Sequence, residues 1–165
     1  MPVGSRIRKH VFLVGAFVCA LTLSPARAAA PVPDDAMMQA ANVVARFVDT
    51  LDETNLADAF ADADVTIIDN FPPYIFSGSG AVARWSKFLK THLGDITNLH
   101  HEFGPAQEFS QTGDSAYFSL PVTYTELYRG KPVTEHGTWA FVMVRQHGAW
   151  KVRGSVWARV DSTAH

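Results

Sequence analysis

Apolar residues recur along this chain at two different spacings, and the change from one to the other divides it. Between Asp34 or Asp35 and about Asp52, the residues Met37, Ala41, Val44, Val48 and Leu51 follow at steps of four, three, four and three. That lays one apolar stripe along a helix whose first turn an aspartate can cap. A short second helix follows, with Leu56, Ala59, Phe60 and Ala63 facing inward. Residues 65–71 (VTIIDNF) are β-branched and read as a strand that Pro72 and Pro73 end. A third helix presents Val82, Trp85, Phe88 and Leu89 on one side and closes at Gly94 and Asp95. From there the period is two. Strands over about 99–111, 115–128, 133–146 and 149–160 are parted by turns at Thr112–Gly113–Asp114, Arg129–Gly130–Lys131 and His147–Gly148. Links this short imply antiparallel neighbours. The expected fold class is α+β, a curved antiparallel sheet packed on one face by three N-terminal helices.

The segment before the first helix follows different rules. Arg6, Arg8, Lys9 and His10 form a basic head, Val11 to Leu23 an apolar run, and Ala26–Arg27–Ala28 a triplet with small residues at both recognition positions. This is the layout of a secretory signal peptide cleaved after Ala28, and its 13 apolar residues are too few for a membrane anchor. The organisation read from the chain is therefore a signal over 1–28, an extended leader over 29–34, one domain over 35–160 and a tail over 161–165, in a periplasmic or secreted protein. Removing 1–28 takes four of the 14 lysines and arginines and none of the 16 acids, which moves the net charge from −2 to −6. It also takes Cys19, the only cysteine. A thiol nucleophile, a disulfide framework and a cysteine metal site are thereby excluded from the mature chain, and nucleic acid and anionic membrane are poor partners for it.

Asp69 is the first candidate for chemistry. On strand 65–71 it shares a face with Val65, Ile67 and Phe71. A carboxylate in that apolar company is costly unless paired, and it suits a proton-abstracting base. An aspartate at a strand end can equally accept hydrogen bonds from the proline-rich turn that follows. The second candidate is the central hairpin. A register that keeps Glu126 from opposing Glu135 sets Glu126 beside His136, Tyr124 beside Thr138 and Val122 beside Ala140. It puts a Glu–His pair at the mouth of a concave apolar face, where a solvated pair at the hairpin end is the plainer alternative. His100 and His101 are adjacent and point to opposite faces of a strand, and no zinc-ligand spacing occurs, so no metal is expected. No phosphate-cradling glycine loop and no G-x-S-x-G elbow is present, and no cofactor is expected.

The order of elements, together with FADADVTIIDNFPPYIFSG over 60–78, Trp85 and the spacing of Trp150 and Trp157, resembles the nuclear transport factor 2-like superfamily, in its SnoaL-like and ketosteroid-isomerase-like branch. The resemblance covers about 35–160 and implies a cone-shaped sheet enclosing a deep apolar pocket. It sets Asp69 where steroid isomerases keep their catalytic aspartate, and Trp85 and Trp157 on pocket-lining aromatic positions. Two departures count against steroid isomerisation: Phe47 stands where the isomerases have an oxyanion-hole tyrosine, and Ala140 where they have a protonated acid. His136 and Tyr124 could supply another donor set.

Three functions are therefore expected in order. The first is binding of a small, largely apolar molecule between Phe47, Trp85, Phe118, Leu120, Val122, Tyr124, Glu126, Thr138, Ala140 and Trp157. The second is a lyase or isomerase with Asp69 as base and His136 or Tyr124 as donor. The third is a non-catalytic homodimer formed through a sheet face carrying Thr123, Thr125, Trp139, Phe141 and Met143.

Overall fold

The computed structural model describes residues 31–164, so the expected export signal and its cleavage point lie outside the described residues. Helix α1 (Asp35–Thr50) begins where the aspartates predict. The Asp34 Oδ1 atom accepts the Met37 N–H at 2.8 Å, and its Oδ2 accepts the Trp150 indole N–H at 3.1 Å. One carboxylate thus starts the helix and ties it to the last strand. Asp34→Ala is expected to cost about 1–2 kcal/mol in urea unfolding, and Asp34→Asn much less, because an amide oxygen still caps.

Helix α2 (Leu56–Ala59) is a single turn that buries Leu56 and Ala59; it stops too soon to turn Ala63 inward, and Ala63 is exposed. Strand β1 (Thr66–Ile68) folds back onto β2 (Ile75–Ser77), with Ile67 opposite Phe76. Helix α3 (Ala81–His92) then buries Trp85 and Leu89. The strand expected over 99–111 is two strands, β3 (Ile96–Phe103) and β4 (Glu108–Thr112), both paired with β5 (Ser115–Tyr128). Pro105, which has no N–H to donate, lies in the gap between them. Strands β6 (Lys131–Gln146) and β7 (Ala149–Ala164) complete the sheet, and residues 161–164 continue β7 where a tail was expected. The strand order is β2-β1-β7-β6-β5-β3, antiparallel except that β1 runs parallel to β7 with Ile67 beside Ser155. Register shifts at His136/Gly137 and Val142/Met143 bend β6 against β7.

The hairpin register differs from the expected one, for a reason visible in its turn. Arg129 and Gly130 both adopt positive φ, 50° and 79°, so the link is a two-residue turn with Tyr128 opposite Lys131. Tyr124 therefore faces Glu135, Glu126 faces Val133, and Thr123 faces His136. Glu126 and Glu135 avoid direct opposition by lying on a diagonal. From Glu135 to Met143 the β6 side chains are on the other face from that expected. Trp139, Phe141 and Met143 are buried in the core against Leu120, Phe118 and Ala116, so the apolar members of the expected dimer face are not on the surface. His136, Thr138 and Ala140 take the outward face instead, where the His136 ring meets the Thr123 hydroxyl at 3.2 Å.

Candidate functional site

The wide end of the sheet, α3 and the segment after β1 leave a pocket with a cavity volume of about 80 Å³. Its walls are mostly apolar: Ile67, Trp85, Leu89, Leu93, Trp139 and Trp157, with Ile68, Phe71, Ile96 and Leu99 also lining it. Its polar groups are Asp69, Asn70, Tyr124, Glu126, Glu135 and Ser155. The space exceeds what one water needs and is below the 150 Å³ of a cavity that takes benzene, so what fits wholly inside is a head group of a few atoms.

The side chain of Asp69 follows from the period of β1, which turns Val65 and Ile67 inward and carries the next odd position in with them. The residue is 8% exposed. Its Oδ2 accepts the Trp85 indole N–H at 3.0 Å, and its Oδ1 accepts the Phe71 N–H at 3.3 Å. The buried carboxylate is thus paired through hydrogen bonds from a helix and from the turn it precedes. Trp85 in turn packs on Phe47 and Phe60, with ring centres 5.3 and 6.4 Å away.

Of the residues expected at the site, Asp69, Trp85, Tyr124, Glu126 and Trp157 line this pocket. Phe47, Phe118, Leu120 and Val122 are buried in the core and do not line it. His136, Thr138 and Ala140 are on the opposite face of the sheet and are removed from the site by the register. The expected Glu126–His136 pair does not form, and His136 cannot donate into the pocket.

Three features lie outside the set of residues expected at the site. Trp139 and Glu135 reach the pocket because odd positions of β6 face inward. Glu135 accepts from the Arg159 guanidinium at 2.8 Å. The third is a pair beside the pocket: Asp49 at the end of α1 meets His101 of β3, with Oδ2 and Nδ1 2.6 Å apart and side chains 12% and 14% exposed. His101 pairs across the sheet with Tyr124, and the two ring centres are 6.4 Å apart. A carboxylate oxygen only accepts, so Nδ1 of His101 carries the proton of this hydrogen bond. The spacing of 52 residues hides this pair from any local motif. His100 turns outward, as the alternation requires, and no cluster able to hold a metal occurs among the described residues.

Burial holds the Tyr124 hydroxyl well above its ordinary pKa of 10, and the carboxylates of Asp49, Asp69, Glu135 and Glu126 push it the same way. It is a proton-bearing donor at any neutral pH. Glu126 is raised from its usual 4.5 to about 7, first by burial and then by Glu135, with Arg159 opposing.

The family profile described as a SnoaL-like domain matches residues 34–155. The chain belongs to the SnoaL-like family. Solved structures similar to this SnoaL-like chain agree on its nuclear transport factor 2-like fold. A hexachlorocyclohexane dehydrochlorinase, LinA type 2, is 14% identical with a TM-score of 0.66, over 79% of this chain and 86% of that one. A nuclear transport factor 2-like superfamily protein from Salmonella enterica is 16% identical with a TM-score of 0.62, over 76% and 92%. The Kfla4162 protein from Kribbella flavida is 13% identical with a TM-score of 0.64, over 77% and 90%. No curated protein sequence matches the chain.

One property of this SnoaL-like pocket is measurable by pH alone. Glu126 has a folded-state pKa above its unfolded value, so the native state holds the extra proton between about pH 4.5 and 7. Its contribution is present below that window and is lost as pH rises through it. Glu126→Gln is therefore expected to melt with wild type at pH 4.5 and above it at pH 8. Thermal unfolding at the two values checks the sign, and parallel melting at both would contradict it.

Proposed function

We propose that this protein binds a small molecule, apolar in most of its body, with a polar head seated in the cone pocket. The observation that carries the reading is the combination of an apolar-walled cavity with polar groups lining it, among them Asn70 and Ser155, whose buried oxygens have no hydrogen-bond partner among the described residues. The Tyr124 hydroxyl makes no hydrogen bond among the described residues, and neither do the carboxylate oxygens of Glu126. A core built only for stability would close such a space. The signal-like N-terminus supports delivery of the chain out of the cytoplasm, to the periplasm or beyond. Native mass spectrometry of the full-length precursor's exported product tests both parts. A retained small molecule and a start at Ala29 are the expected result. An empty protein whose tryptophan emission no apolar probe changes overturns the binding role.

The Asp49–His101 pair favours a second reading, a lyase or isomerase. A base removes a proton from a substrate carbon. The electron pair passes into an enolate, or expels a leaving group on the next carbon, while Tyr124 donates to the oxygen that gains charge. Asp69 and the Nε2 atom of His101 are the two candidate bases, and Asp49 is a positioning residue for the second. Solvent deuterium exchange into the retained molecule separates them. Loss of exchange by a factor of about 10²–10⁴ in Asp69→Asn or in His101→Gln identifies the base. Unchanged exchange in both removes the enzymatic reading.

A further inference from the structure

The polar lining of the pocket is one-sided. Asp69, Glu126 and Glu135 contribute three carboxyl groups, and no lysine, arginine or histidine is among the lining residues. The guanidinium that reaches them, Arg159, is spent on Glu135 and is itself 40% exposed. Asn70 adds a buried carbonyl oxygen with no partner among the described residues. A second, independent observation lies in the same lining. Ser155 is 1% exposed, lines the pocket, and leaves its buried Oγ without a hydrogen-bond partner among the described residues. A buried hydroxyl left so costs free energy that a bound partner would recover.

We propose that the pocket selects a protonated amine, its N–H bonds taken by Glu126, Asn70 and Ser155 and its apolar body lying against Trp139 and Trp157. The proposal rests on the binding role above and names the class of ligand. Acceptors outnumber donors in the lining, which an ammonium with several N–H groups satisfies and a carbonyl or alcohol does not. The two indoles, 6.3 Å apart and at 66° to each other, supply negative ring faces that attract a cation. An anionic ligand would meet three carboxyl groups with one guanidinium between them. The small volume agrees with a compact head group, and Ile68, Phe71, Ile96 and Leu99 are the apolar surface on which the remainder would rest. The raised proton affinity of Glu126 is what an acid shows when its burial and its acidic neighbour lack a countercharge, and a bound cation would supply one.

Three probes of one shape and different charge test this: benzylamine, benzyl alcohol and benzoate, titrated against the folded full chain at pH 8 by tryptophan fluorescence and calorimetry. Benzylamine is expected to bind at least tenfold more tightly than benzyl alcohol, and benzoate not to bind. Glu126→Gln is expected to remove most of that preference, bringing the affinity for benzylamine down towards that for benzyl alcohol measured on the same variant. Equal affinity for the amine and the alcohol in wild type overturns the charge selectivity and leaves the binding role standing. Failure of all three probes overturns both. The wild-type comparison needs no variant, so it holds even if Glu126→Gln folds poorly.

Discussion

Trp85→Phe is expected to lower the unfolding free energy by about 2–4 kcal/mol, although both side chains are aromatic and buried. Two effects add. The indole N–H that Asp69 Oδ2 accepts is lost, and a hydrogen bond to a charged group is worth about 1.5–3 kcal/mol. The smaller ring also leaves unfilled space between Phe47 and Phe60, at a cost that grows with the residual cavity. Asp69 would keep only the longer bond from Phe71. Asp69→Asn is the informative companion, because its amide oxygen still accepts from the indole and should cost less than half as much. A double-mutant cycle in urea gives the coupling. A coupling near zero would mean that the carboxylate does not anchor the tryptophan.

Gly137→Ala is expected to destabilise the chain by about 1–3 kcal/mol or more, in the range of overpacked cores. A methyl at this position would lie 2.5 Å from the Ala158 carbonyl oxygen and 2.7 Å from Cζ3 of Trp157. The indole lies across the glycine, and that close approach brings Trp157 to the pocket wall beside Tyr124, with ring centres 5.2 Å apart in a T-shaped arrangement. The substitution must turn the ring out of place, so a red shift in emission and weaker probe binding should accompany the lower melting temperature. Combining it with Trp157→Ala separates the two clashes. The ring's share is relieved, the carbonyl's share is not, and only partial recovery is expected. Full recovery would assign the whole effect to the indole.

The elements were legible because their signals are local. The Asp34 cap, the stripe from Met37 to Leu51 and the turn glycines each act within a few residues, and α1, α3 and the β5–β7 meander fall where they direct, while the short β2 and the break between β3 and β4 carried no such signal. Asp69 was legible for the same reason, since alternation along β1 fixes its direction once Val65 and Ile67 are known to be buried. The error in the hairpin came from weighing one repulsion, Glu126 against Glu135, above the turn. Arg129–Gly130 is two residues long and fixes a register in which Glu126 faces Val133 and not His136, and this odd-numbered slip puts Trp139 and Glu135 at the pocket in place of Thr138 and His136. Counting the turn from Tyr128 to Lys131 would have corrected it. The Asp49–His101 contact had no such signal. It depends on how α1 lies on β3, a matter of packing between distant segments that periodicity does not encode.

The parallel contact of Ile67 with Ser155 joins the shortest early strand to the final one. The two strands are far apart along the polypeptide, and closure over such a distance is expected late in folding. The Ser155 side of the pocket is thus expected to close after the β5–β6 hairpin exists, and a chain interrupted before residue 155 lacks both Ser155 and the Trp157 wall. A molecule held there would act as a clasp on that last docking step, and its removal should first loosen the β1–β2 hairpin while the long strands keep their amide protons.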